Sequence, residues 1–97
     1  MPTYERLPRF NRDCDKLSEG ERDEFKQAIE KFVEDLERDG KFRKGLRVKG
    51  IKSAKGIYEM TWAGDGRATF EFGKEVREGE PHVVWRRIGT HDVLDAA

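Results

Sequence analysis

The chain has 97 residues, 41% of them charged, and its 20 Lys and Arg balance 20 Asp and Glu. That length leaves room for one hydrophobic core, and the balance rules out net charge as a source of attraction to nucleic acid or membrane. One cysteine excludes an intrachain disulfide framework and two scattered histidines exclude a zinc site of ordinary spacing; no apolar run nears the roughly 18 residues of a membrane span, so a cytoplasmic domain without metal or cofactor is expected.

Thr3 to Leu7 reads as a short edge strand. Pro8 suits the first turn of a helix, and Phe10, Cys14 and Leu17 follow at helical spacing, giving a short amphipathic helix that ends near Leu17. Ser18 with Glu21 three residues on forms a capping box. Phe25, Ala28, Ile29, Phe32, Val33 and Leu36 then make the apolar stripe of a longer helix, which Gly40 stops. These two helices should form a hairpin with one shared apolar face.

Beyond Gly40 the period changes from 3.6 to 2. Strands are expected over Leu46–Ile51, Ile57–Ala63, Arg67–Phe72 and His82–Ile88. Gly64-Asp65-Gly66 is a hairpin turn. A three-residue loop there pairs Met60 with Phe70 and Tyr58 with Phe72, which keeps the apolar set on one face, whereas a one-residue slip scatters it. Glu59, Thr61, Arg67, Thr69 and Glu71 then share the other face, joined by His82, Val84 and Arg86 if Val83 and Trp85 face the helices.

Charge is unevenly placed. Glu19 to Asp39 holds nine acids and four bases, whereas Lys41 to Lys55 holds seven bases and no acid. Lys41, Arg43, Lys44, Arg47, Lys49, Lys52 and Lys55 could track a nucleic-acid backbone or form a solvated loop. Arg67, Arg86 and Arg87 are strand cations, suited either to salt bridges with Glu59 and Glu71 or to a guanidinium fork for a phosphate. His91, in Gly89-Thr90-His91-Asp92 just past the last strand, has a side chain that titrates near neutrality and could act as an acid or base. Tyr58, Trp62 and Trp85 could stack on bases, but they alternate as core residues do. There is no Walker loop, dinucleotide fingerprint, nucleophile elbow or zinc-protease motif.

A helix hairpin followed by LRVKGIKSAKGIYEMTWAGDGRATFEF and VVWRRIGTHDVL resembles the RelE/ParE superfamily of bacterial toxins, most closely its YafQ and HigB-like branch, which cleaves messenger RNA on the ribosome. Ile88-Gly89-Thr90-His91 resembles the YafQ ending, whose histidine is catalytic. Gly66-Arg67-Ala68-Thr69-Phe70 resembles the strand whose arginine holds the scissile phosphate, and Asp65, with Lys55-Gly56 upstream, falls where YafQ has an active-site aspartate. The resemblance departs at Thr61, where YafQ carries a histidine, and at Tyr58 and Met60, where RelE carries lysines. It leaves the general base open among Glu59, Asp65 and Lys49.

The resemblance implies an α+β fold: an N-terminal two-helix hairpin packed on one face of a small, twisted, mainly antiparallel sheet of roughly three to five strands. It implies a single-domain toxin of a type II toxin–antitoxin system, with metal-free chemistry and no cofactor. His91, Arg67, Arg86, Glu59 and Asp65 would form the catalytic set, and the Lys41–Lys55 cations with Arg87 the RNA contacts. The expected partners are a cognate antitoxin, messenger RNA and the ribosome. The ParE branch shares the fold but inhibits gyrase, so the alternative is a non-catalytic binder, either a gyrase inhibitor or a degenerate toxin held by its partner.

Overall fold

Apolar residues at helical spacing and apolar residues at alternating strand positions must cover one another, and in the computed structural model, which describes residues 2–97, they do. The chain runs β1 (Thr3–Arg6), α1 (Pro8–Asp15), α2 (Glu19–Arg38), a 3-10 turn (Lys44–Leu46), β2 (Lys49–Ile51), β3 (Ala54–Thr61), β4 (Gly66–Gly73), β5 (His82–Thr90) and a C-terminal 3-10 segment (His91–Ala96). The five strands lie in the order β1-β5-β4-β3-β2, with β1 parallel to β5 and every other pair antiparallel. This is the expected α+β architecture, with the helix hairpin on one face of the sheet.

The hairpin is pinned by its caps. Ser18 Oγ accepts from the Glu21 N–H at 3.1 Å, and Glu21 accepts from the Ser18 N–H at 2.8 Å, so both halves of the capping box form. Arg22 donates to the Cys14 carbonyl, which closes the end of α1 against the start of α2. Rings from both helices then meet the sheet. Phe10, Phe25 and Phe32 lie with centroids 6.0, 5.8 and 5.2 Å from Trp85, and Phe32 meets Phe70 edge-on at 5.1 Å.

After α2 the expected strand from Leu46 shrinks to Lys49–Ile51. Leu46 is a buried anchor in the 3-10 turn, and Arg47 takes a left-handed conformation (φ 47°), so extended backbone starts only beyond it. The turn is held from α2. Asp35, fully buried, accepts from Arg43 Nε and Nη2 at 2.9 and 2.8 Å and from the Arg43 backbone N–H at 2.8 Å. Those Arg43 side-chain and backbone hydrogen bonds hold the Asp35 carboxyl down to about 2. A group so depressed supports the fold above the ordinary carboxylate range and loses that contribution as pH falls toward 2.

The β3–β4 hairpin departs from the expected register by two residues. Tyr58 pairs with Phe70 and Met60 with Ala68. The shift is even, so the faces are those expected: Met60, Ala68 and Phe70 point to the helices, and Glu59, Thr61, Arg67 and Thr69 to the outer face. The cause is Gly66. It is a strand residue beneath the Trp62 indole, not part of the turn: a Cβ there would stand 2.5 Å from the ring. The loop is therefore Ala63-Gly64-Asp65, closed by the Gly66 N–H to the Ala63 carbonyl at 3.1 Å. Gly66→Ala should destabilise the fold by about 1–3 kcal/mol through overpacking against Trp62. Urea unfolding measures this, and a variant as stable as the parent would refute the packing.

One bulge shapes the last strand. Thr69 pairs with Arg87 and Phe70 with Trp85, so Arg86 is the extra residue on β5. The corrected register also separates Glu59 and Glu71, which the expected pairing of Met60 with Phe70 would set opposite each other. Glu59 lies opposite Thr69, and Glu71 opposite Val84.

Candidate active site

The outer face is built in rows across the strands. The row nearest the hairpin turn is Thr61, Arg67 and Gly89; the next is Lys49, Glu59, Thr69 and Arg87. Beyond them lies Glu71, with Arg86 from the bulge.

At the turn end the structure joins two residues from distant parts of the sequence. His91 Nδ1 lies 2.7 Å from Asp65 Oδ1, and Nε2 is 3.4 Å from Asp92. The turn after β3 presents Asp65, and the end of β5 presents His91. The Asp65 hydrogen bond and charge, with Asp92 adding to them, push the His91 pKa up from its ordinary value, against smaller opposing effects of desolvation and the Arg67 charge. His91 is 63% exposed and accessible to a large ligand. Arg67 curls over the same turn, its Nη1 donating to the carbonyls of Gly66 at 3.0 Å and Gly64 at 3.3 Å. His91, Asp65 and Arg67 therefore form one cluster: a proton donor oriented by a carboxylate, with a guanidinium beside it.

Glu59 is buried, and its ion pair is with Lys49, 3.5 Å away at an exposed position on β2. It lies one diagonal step from Arg67, roughly 7–8 Å between Cα atoms in such a ladder. Arg86 is not part of the turn cluster. It pairs with Glu71 at 2.9 Å and donates through Nε to the Ala97 carbonyl at 2.8 Å. Arg87 turns round the edge of β5 to Asp13 of α1, with Nε 2.7 Å and Nη2 3.3 Å from the carboxylate, and its Nη1 donates to the Ala96 carbonyl. Of the basic run, Arg43 is bound to Asp35 and Glu34, while Lys41, Lys44, Arg47, Lys49, Lys52 and Lys55 are exposed along the loop, β2 and the start of β3.

Sequence reasoning missed several polar residues. Asp13 is buried and also accepts from the Ile88 N–H at 3.2 Å, a backbone group beside the bulge. Its position on the apolar side of a short helix was the available signal. His82, buried at the start of β5, lies 2.7 Å from Thr3 Oγ1 and 2.9 Å from Glu5, and so ties β1 to β5. On the helix side, a cleft of about 650 Å³ runs between β1 and α2, lined by Tyr4, Ile29, Val33, Leu36 and Val83, with Tyr4 68% exposed. Among the described residues no cluster of three or more His, Cys, Asp or Glu could hold a metal ion. No helix there is long and apolar enough to cross a membrane.

No protein-family model matches the sequence, and no curated protein matches it. Solved structures do. A histidine variant of YafQ from E. coli superposes with TM-score 0.72 at 11% identity over 97% of this chain and 98% of that one. The DinJ–YafQ complex from E. coli gives 0.68 at 13% identity, over 97% and 98%. The RelB–RelE antitoxin–toxin complex from Methanococcus jannaschii gives 0.62 at 18% identity, over 94% of each chain. Over nearly its whole length the chain has the fold of the RelE/YafQ-type toxins.

Proposed function

We propose that the protein is the toxin of a type II toxin–antitoxin system and acts as a metal-independent endoribonuclease on messenger RNA, on the ribosome, to stop translation in the cytoplasm. The observation that carries this reading is the His91–Asp65 pair at 2.7 Å beside Arg67 on an accessible rim. In this chemistry the RNA 2'-hydroxyl attacks the adjacent phosphate. Arg67 neutralises the charge that develops on the phosphate oxygens. His91, kept protonated by Asp65, gives its proton to the leaving 5'-oxygen. With Asp65 committed to His91, Glu59, paired with Lys49, is the base that takes the 2'-hydroxyl proton. The exposed Lys41–Lys55 cations grip the RNA backbone. An antitoxin with an acidic arm complements that basic surface, and its apolar residues fill the cleft between β1 and α2.

Expression without the antitoxin should arrest growth and cut translated messages, and chelators should leave the cutting unchanged. Arg67→Ala should remove at least about 10²-fold of activity, the scale of one preorganised charge-stabilising donor. Primer-extension mapping of messages from induced cells checks both points, and full cutting by Arg67→Ala would sink the assignment.

The burial of Glu59 favours a second reading, a non-catalytic binder of the gyrase-inhibiting kind. A DNA-damage response with intact messages would select it.

A further inference from the structure

The junction of α1 and α2 and the turn end of the sheet border a cavity of about 410 Å³, within the roughly 300–1,000 Å³ of small-molecule sites. It shares Asp65 with the turn cluster, and Thr90, the neighbour of His91, also lines it. Leu17, Ile88 and Val93 give it an apolar wall. Trp62 lines it too, and its indole Nε1 is buried with no hydrogen-bond partner. A buried N–H without a partner is costly and calls for an explanation. The ring is held in place: an added Cβ on Gly66 would be 2.5–2.8 Å from three of its atoms, and Phe25 meets it at a near-right angle with centroids 6.1 Å apart. The charged groups around the cavity fall into two sets. Asp13 and Arg87 bind each other, Glu21 closes the capping box, and Asp65 holds His91. The side chains of Glu24 and Lys16 make no hydrogen bond or ion pair among the described residues. The cavity thus offers a fixed neutral donor, a free carboxylate and a free ammonium beside an apolar wall.

We infer that this cavity binds a guanine base, with Trp62 Nε1–H donating to O6 and the Glu24 carboxylate accepting from N1–H and N2–H. Guanine is the one common RNA base that sets two adjacent N–H donors beside an acceptor. A carboxylate takes both donors at once, and charge-assisted paired bonds of this kind are the strong ones. Adenine and cytosine place a ring acceptor next to their amino group, which a carboxylate repels, and uracil offers a single N–H. The apolar wall covers the flat of the base, and Lys16 meets the phosphate that the nucleotide carries. Asp65 borders the cavity and also holds the acid, so a base bound here sets the adjoining phosphodiester at Arg67 and His91, and messages are cut beside guanosine. That consequence rests on the ribonuclease reading; the binding of the base does not.

The test uses the full chain and the 5'-monophosphates of guanosine, adenosine, uridine and cytidine. Calorimetry reads affinity, and heteronuclear NMR reads the Trp62 indole N–H, assigned by its loss in Trp62→Phe. The guanosine nucleotide should bind at least about tenfold tighter than the other three and shift the Trp62 indole proton downfield, the scale of one or two hydrogen bonds. Trp62→Phe keeps a ring but loses the N–H, and should weaken that binding about tenfold. Glu24 is exposed and unpaired, so Glu24→Gln should fold like the parent. It should weaken guanosine nucleotide binding by about tenfold or more and narrow its lead over the adenosine nucleotide. No binding of the guanosine nucleotide at millimolar concentration, equal affinity for all four, or affinity that Glu24→Gln leaves unchanged overturns the proposal. If the base binds as described but no message is cut in cells, the ribonuclease reading fails and the site stands. If messages are cut without regard to guanosine and the nucleotide does not bind, the reverse holds.

Discussion

His91→Gln is expected to lower message cleavage by about 10²–10⁴-fold, the range that a positioned general acid contributes, with no movement of the thermal transition. The two halves of this expectation have separate causes. His91 is exposed, and its hydrogen bond is to Asp65, itself 62% exposed, so little packing is lost. Gln keeps polarity and approximate reach but carries no proton that it can release near neutrality. A variant that folds like the parent yet cuts nothing therefore assigns the proton transfer to His91. Undiminished cleavage would remove it from the mechanism.

The pH dependence carries a sign. Asp65 raises the His91 pKa, so the acid stays protonated to higher pH than an ordinary imidazole, and activity falls as pH climbs through that raised value. Asp65→Asn removes the charge and leaves a neutral partner in place. The alkaline limb of the rate profile should then move to lower pH. Single-turnover cleavage across the pH range measures this limb, and an unmoved limb in the Asn variant would show that the carboxylate does not tune the acid.

How much of this was legible in the sequence depends on whether local pattern or distant geometry decides each feature. The helices were legible because Ser18, Glu21 and Gly40 signal their ends through chemistry within a few residues, and the stripe from Phe25 to Leu36 has a single interpretation. The two faces of the sheet were legible because alternation survives an even register shift. The register itself was not, since it depends on Gly66 lying under the Trp62 ring, and the same glycine beside Asp65 also suits a turn. Of the candidate site, His91, Asp65 and Arg67 do come together. Arg86 does not join them, because the bulge that displaces it arises from β4–β5 pairing and has no mark in the sequence of either strand. A linear reading puts Arg43 in the RNA-tracking run, and Arg87 either in a salt bridge with Glu59 or Glu71 or on a phosphate. Their partners, Asp35 and Asp13, are eight and 74 residues away, and an acid on an otherwise apolar helix face is the only local hint.

Asp13 should therefore be a residue whose loss the fold tolerates poorly. Asp13→Ala is expected to destabilise the protein by about 3–5 kcal/mol, the scale of breaking a buried ion pair by removing one partner. Three donors lose their acceptor at once: Arg87 Nε and Nη2, and the Ile88 N–H at the point where β5 bulges and has no strand on its outer side. Against a total of roughly 5–15 kcal/mol for a domain of this kind, that is a large share. Asp13→Asn retains one oxygen for the Ile88 N–H and should lose less. Arg87→Ala alone removes the guanidinium that needs pairing but leaves the Ile88 bond, so the double variant Asp13→Ala/Arg87→Ala should be more stable than the sum of the single losses predicts. Chemical denaturation of the four proteins closes the cycle. If the two losses simply add, the Asp13–Arg87 pair is not what braces α1 against β5, and the bond to Ile88 carries the whole effect.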